Sequence, residues 1–231
     1  MAQKGADIHL EQMVTDYGAL VSSVCRRMVR NEEDAKDAAQ EAWAEIIKGL
    51  ADYRGEAKLS TWIYTVTYRA VLHYTKKEQQ YSTRFLRDYF HGDPLDLPYD
   101  LDYDKPIWIK EMCDKCLTGI LHCLDTESRI AFLLRDMVQL SYEEIAVVLE
   151  KEPQTVRKTV SRSRAKLNSF LKDECSLFNP NGNCRCRMRN LVADIRLPQE
   201  YQKLRRFVHR ANLCLESQQV LPLKNYWESY L

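Results

Sequence analysis

LSTWIYTVTYRAVLHYTKK, residues 59–77, decides between a helical and a mixed fold. Its Trp, Tyr, Thr, Val and Ile suggest a strand. Ile63, Val66, Ala70, Val71 and Tyr74 nevertheless recur at three- and four-residue steps, the repeat of one helix face. The spacing predicts a helix. On its other side, stepping the same way, lie Trp62, Thr65, Arg69, His73 and Lys76. Such a stripe suits a nucleic-acid strand, because unpaired bases stack on Trp62 or Tyr64 for about 1–3 kcal/mol each while Arg69, His73, Lys76 and Lys77 neutralise phosphates. The same two aromatics also suit a protein core.

The rest of the chain extends the helical reading. Only seven glycines and seven prolines interrupt 231 residues, so the fold class is all-α: two small helical domains joined by an acidic linker, with a helical C-terminal extension. A first helix is expected from about Leu10 to Arg30, burying Met13, Tyr17, Leu20, Val21, Val24 and Met28. Asn31 is a good N-cap for a second, whose first turn holds acids where the helix dipole favours them. YRGEAK then turns the chain into the helix of residues 59–77. Together these give a first domain over 8–78. Residues 79–106, with HGDPLDLPYDLDYDKP at their centre, read as a flexible linker. A second domain over 107–172 contains LSYEEIAVVLEKEPQTVRKTVSRSRAKL. Ser141 to Glu144 form a capping box, Ile145, Ala146, Val148 and Leu149 are the buried face of a short helix, and Pro153 opens the next. Two helices about three residues apart, the second strongly basic, meet the requirement for a helix-turn-helix. Residues 173–231 form a basic, cysteine-containing extension.

A net charge of +1 conceals segregation along the chain. Residues 31–45 carry six acids against Lys36, residues 88–104 carry six aspartates and no Lys or Arg, and residues 157–172 carry Arg157, Lys158, Arg162, Arg164, Lys166 and Lys172. No stretch approaches the roughly 20 apolar residues that span a bilayer, and no secretory leader is visible, so a cytoplasmic protein with reduced thiols is expected. No nucleophile–base pairing, phosphate-cradling glycine loop or carboxylate pair in a pocket-like context is present, so the protein is expected not to be an enzyme.

EEDAKDAAQEAW, YRGEAKLSTWIYTV and LSYEEIAVVL followed by TVRKTVSRSRAKL, in this order across residues 10–172, resemble the sigma factors of bacterial RNA polymerase, in the small extracytoplasmic-function group. The resemblance implies binding to core RNA polymerase and promoter DNA, transcription initiation at two-part promoters, and help in melting them. It implies that Glu33, Asp34, Asp37, Gln40 and Glu41 dock on the polymerase. It implies that Arg54, Lys58, Trp62, Thr65, Arg69, His73 and Lys76 meet the −10 element, beside a base pocket in the loop 53–58. It gives Gln154, Thr155, Arg157, Lys158, Ser161 and Arg162 to the −35 element. An anti-sigma factor is a further expected class of partner. The chain departs from the family pattern at Glu150, Lys151 and Glu152, where the turn usually has Gly or a small residue, and at Tyr68, Arg69 and His73. Promoter preference is therefore not carried over.

Two other readings compete with this one. An ordinary helix-turn-helix regulator would bind duplex DNA as a dimer without polymerase and have no use for the aromatic stripe. A cysteine-based metal or redox regulator would use Cys175, Cys184 and Cys186, brought together by the turn NPNGN, with Cys116 or Cys123 as a fourth zinc ligand. The spacing is not that of a standard zinc finger. The same thiols fit a redox pair or plain structural cysteines, no cofactor is required by the sigma reading, and Cys25 and Cys214 are expected to be structural.

Overall fold

The computed structural model describes residues 10–76, 78, 80–91, 118–174 and 181–183, and no strand occurs among them. Helix α1 (Leu10–Met28) buries Met13, Val21, Val24, Cys25 and Met28, while Tyr17 and Leu20 are only half-buried. Asn31 accepts a hydrogen bond from the Asp34 N–H and so starts α2 (Glu32–Gly49), a cap that contributes about 1 kcal/mol. Ala35, Ala38, Ala42 and Ile46 are its buried stripe, and three small residues among the four let α1 and α3 approach closely. A 3₁₀ turn (Leu50–Asp52) and a loop lead to α3 (Leu59–Thr75), so the opening stretch is helical. Ile63, Ala70 and Val71 are buried as the spacing predicts; Val66 and Tyr74 stay half-exposed, and Tyr64, Thr61, Thr67 and Thr75 take the remaining core positions. The threonines fit because Thr67 donates its hydroxyl to the Ile63 carbonyl one turn back.

Within the expected linker, residues 83–91 form a helix, α4 (Thr83–His91). Ser82 caps it by accepting the Phe85 N–H, and Leu86 is buried. Linker composition begins only after this amphipathic turn, at the Pro- and Asp-rich residues, which lie outside the described residues. Helix α5 (Thr126–Asp136) is capped by Asp125, and Ile130, Ala131, Leu133 and Leu134 bury one side of it. Helix α6 (Tyr142–Leu149) has the expected capping box and buries Ile145, Ala146, Val148 and Leu149. Helix α7 (Pro153–Glu174) follows after three residues.

The helices sort into two compact units, Met1–Gln80 with Leu124–Ala165, and Tyr81–Cys123 with Lys166–Leu231. In the first, α5, α6 and the start of α7 pack on the α1–α3 bundle. Ser23 of α1 donates its hydroxyl to Met137 Sδ at 3.7 Å, and Arg129 of α5 donates to the Met28 carbonyl at 2.6 Å. Arg129 is 2 % exposed and its Nη1 stands 3.6 Å from Glu78 Oε2. Burial works against its charge and Glu78 supports it. In the second unit the Tyr81 ring packs on Phe85 at 4.7 Å, the Tyr81 N–H donates to the His122 carbonyl, and Arg87 pairs with Glu174. Lys166 Nζ donates to the Cys123 carbonyl at 2.8 Å.

Candidate nucleic-acid interface

Three exposed faces carry the predicted site residues. On α3, Arg69, His73 and Lys76 are exposed and Trp62 and Thr65 half-exposed along one stripe, with Arg54 and Lys58 exposed in the preceding loop. The helix brings this set together. Trp62 is held from below: its ring lies 5.2 Å from that of Tyr53, and a Cβ added to Gly49 would stand 3.0 Å from Trp62 Cζ2. A side chain at the end of α2 would press on the indole and require it to shift by a few tenths of an ångström. The Tyr53 hydroxyl donates to the Ala57 carbonyl and closes the loop, whose Gly55 has φ +73°, a left-handed conformation that favours glycine. Thr65 turns its hydroxyl back to the Thr61 carbonyl at 2.9 Å.

Tyr64 does not join this surface. It is 1 % exposed in the α1–α3 core, so stacking on a base is closed to it. Its hydroxyl has no hydrogen-bond partner among the described residues, and burial raises its pKa. The period that placed Trp62 outward places Tyr64, two residues on, inward.

The face of α7 is laid out as the spacing predicts. Val156 and Val160 are buried, and Gln154, Thr155, Arg157, Lys158, Ser161 and Arg162 are all exposed. Two anchors fix it: Arg164 makes a two-pronged pair with Asp136 at the end of α5, and Ser163 donates to the Thr159 carbonyl at 2.9 Å. The turn survives its unusual residues because Glu150 adopts φ 55° and ψ 45°, the left-handed helix cap, with its N–H on the Ala146 and Val147 carbonyls. Arg157 is not free-floating: its guanidinium carbon lies 4.8 Å over the Tyr142 ring, and that of Arg135 lies 4.7 Å from the same ring. Arg135 also donates to the Leu140 carbonyl at 2.8 Å. Cation–π contact pre-orders Arg157 at the N-terminus of α6, which suits an anion.

On α2, Glu33, Asp34, Asp37, Gln40 and Glu41 are all exposed, a surface fit for a basic partner. The Tyr74 hydroxyl donates to Glu41 Oε2 at 3.1 Å and ties this face to α3. Of the candidate zinc ligands, Cys116, Cys175, Cys184 and Cys186 lie outside the described residues; Cys123 is buried. No group of three or more potential metal ligands occurs among the described residues. Cys25 is buried too, which pushes its thiol up to about 12 and makes it inert.

Sequence reasoning missed Tyr142 and Arg135, which support Arg157, and placed Tyr53 in the pocket loop without its ring contact to Trp62. Tyr142 could have been suspected from its place one residue after the Ser141 cap and before a basic helix. It also missed two ion pairs that cross between the motifs. Lys58 Nζ lies 2.9 Å from Glu144 Oε1, and Arg69 Nη2 lies 3.3 Å from Glu150 Oε1. Glu144 serves two masters, since its Oε2 accepts the Ser141 N–H at 2.7 Å; the Lys58 hydrogen bond first, then the Ser141 N–H, hold its carboxyl below the ordinary 4.5.

Two family models match, one described as sigma-70 region 2 over residues 13–81 and one as sigma-70 region 4 over residues 114–167. Among curated relatives, the RNA polymerase sigma factor YlaC of Bacillus subtilis is 26% identical over 68% of this chain and 89% of its own length. The extracytoplasmic-function RNA polymerase sigma-E factor of Escherichia coli K12 is 24% identical over 72% of this chain and 88% of its own. Among solved structures, CnrH in complex with the cytosolic domain of CnrY superposes with TM-score 0.53 at 19% identity, covering 70% of this chain and 86% of that one. RpoE of Bartonella quintana, in complex with the anti-sigma factor NepR, gives TM-score 0.51 at 17% identity, covering 70% of this chain and 96% of that one. Those likenesses place the fold. Among the described residues no helix is long and apolar enough to cross a membrane.

Proposed function

We propose, because this chain belongs to the sigma-70 family in its extracytoplasmic-function group, that it binds core RNA polymerase and directs transcription initiation at two-part promoters. The observation that carries the proposal is the order of matches, region 2 over 13–81 and then region 4 over 114–167, on one chain. Glu33, Asp34, Asp37, Gln40 and Glu41 dock α2 on a basic polymerase surface. Arg157, Lys158 and Arg162 enter the major groove at the −35 element, where a bidentate guanine contact discriminates by about 1–3 kcal/mol, with Gln154, Thr155 and Ser161 on bases or backbone. At the −10 element Trp62 stacks against an unpaired base while Arg54, Lys58, Arg69, His73 and Lys76 follow the backbone, with Thr65 on the same stripe. The polymerase supplies the catalysis, and the protein works where the polymerase is, in the cytoplasm.

An anti-sigma regulator belongs to the proposal, supported by the two superposed structures, RpoE bound to the anti-sigma factor NepR and CnrH bound to the cytosolic domain of CnrY. Zinc on Cys175, Cys184 and Cys186 with Cys116 or Cys123 is an accessory proposal, checked by metal content of the purified protein; initiation as proposed requires no resident cofactor.

Run-off transcription with core polymerase and genomic fragments tests the main proposal. Promoter-specific transcripts are expected only when the protein is added. Trp62→Ala loses opening, and Arg157→Ala/Lys158→Ala weakens promoter use by roughly 10- to 100-fold, the scale of one or two lost contacts. If no transcript depends on the protein while it shifts duplex DNA alone, the helix-turn-helix regulator replaces it.

A further inference from the structure

Arg135, Tyr142 and Arg157 come from three successive helices and meet on one ring. The guanidinium carbon of Arg135, at the end of α5, lies 4.7 Å from the centroid of the Tyr142 ring, and that of Arg157, near the start of α7, lies 4.8 Å from it. Lys158 and Arg162, on the same exposed face as Arg157, have no such ring among the described residues. We propose that Tyr142 is a positioning residue that sets specificity at the −35 element: acting through Arg157, it holds that guanidinium ready to read one base pair. The inference rests on the sigma reading above.

Order matters more for one kind of DNA contact than for the other. Attraction to a phosphate needs only charge, and an arginine supplies it from many rotamers. A bidentate contact to guanine O6 and N7 needs the guanidinium in one plane at one place. A loose side chain loses its rotamer freedom on making that contact, whereas a stacked one has given it up before the DNA arrives. The gain therefore falls on the correct base, where both hydrogen bonds form, and not on the backbone or a wrong base. The ring adds to discrimination and leaves general affinity to the charges.

The ring can do this because it is itself fixed. Tyr142 directly follows the N-cap of α6, where Ser141 Oγ accepts the Glu144 N–H at 3.1 Å and Glu144 Oε2 accepts the Ser141 N–H at 2.7 Å. Arg135 is tied down too, donating to the Leu140 carbonyl at 2.8 Å. The neighbour of Arg135, Asp136, takes the two-pronged contact from Arg164 and so holds α7 against the end of α5. Two cations on one ring repel each other. Arg135 is half-buried and bonded while Arg157 is exposed, so the repulsion confines Arg157 to the part of the ring that Arg135 leaves open. Three elements thus agree on one place for a long side chain that would otherwise wander.

The test measures binding of the full-length protein, with core polymerase, to a promoter fragment recovered by run-off transcription, each base pair of its −35 element substituted in turn. Arg157→Ala marks the position that Arg157 reads, as the one where base preference disappears. There Tyr142→Leu is expected to lower the preference about two- to fivefold, the worth of one exposed cation–π contact, while the salt dependence of binding, which counts charges, stays that of the wild type. Tyr142→Phe keeps the ring and should keep the preference. In the Arg157→Ala background Tyr142→Leu should change nothing further at that position. Circular dichroism checks that each variant stays helical. A loss spread evenly over all positions, a loss that persists without Arg157, an unchanged preference in helical Tyr142→Leu, or no position that depends on Arg157 overturns the proposal. Transcription on the same preparations separates the two readings: protein-dependent transcripts with one of those results refute only the role of Tyr142, whereas the absence of such transcripts refutes the sigma reading and the proposal with it.

Discussion

Trp62 and Tyr64 are neighbours in sequence with opposite work, and each yields a test. Tyr64 buries a hydroxyl without a partner among the described residues, so Tyr64→Phe is expected to leave stability unchanged or raise it by up to about 1 kcal/mol and to leave promoter opening intact. A clear drop in thermal midpoint would show that the hydroxyl is bonded after all. Trp62 depends on the bare backbone of Gly49, whose added Cβ would meet its ring at 3.0 Å. Gly49→Ala therefore moves the indole without deleting it. Because alanine is the better helix residue by about 0.5–1 kcal/mol, the thermal midpoint should change little while opening in a run-off assay falls roughly tenfold, a loss within the range of one stacking contact. The outward position of Trp62 was legible from the helical period, but its support by Tyr53 and Gly49 was not, since those residues approach through the turn between α2 and α3 and share no periodicity with it.

At the scale of elements, α6 shows how one carboxylate can serve local and distant structure. Glu144 caps its own helix with Oε2 and receives Lys58 with Oε1. Its folded pKa is depressed, so the stability it adds is present above the ordinary 4.5 and lost as pH falls through the lower folded value. Acid titration followed by circular dichroism should show that loss in the wild type below about pH 4. Glu144→Gln should flatten this part of the profile, and an unchanged profile would mean that other carboxylates govern the acid response. The capping box, the buried face of α6 and the exposed face of α7 were all readable in advance, because each is local chemistry written within four residues. Helix α4 was not readable as a helix: its nine residues precede a Pro- and Asp-rich run whose composition dominates any window that includes both.

For the molecule as a whole, the all-helical class and the order of the motifs were legible, and the shared core of the first unit was not. The Arg69–Glu150 pair spans 81 residues of chain, and periodicity says which face of a helix is polar without saying what it meets. A shared core predicts shared opening. Amide hydrogen exchange in α1 and α5 should slow and quicken together, and Arg129→Ala should speed both by a comparable factor. Exchange that accelerates in α5 alone would mean the two segments fold independently. Helix α4 has a last consequence, for the promoter itself. Coiled, its nine residues cover about 14 Å, whereas drawn out they would cover about 31 Å. The difference, about 17 Å, equals the rise of about five base pairs. The tether between the two DNA readers thus holds a measured length in reserve, and the spacer lengths that this protein tolerates between its two promoter elements are a ruler for whether that turn of chain stays wound.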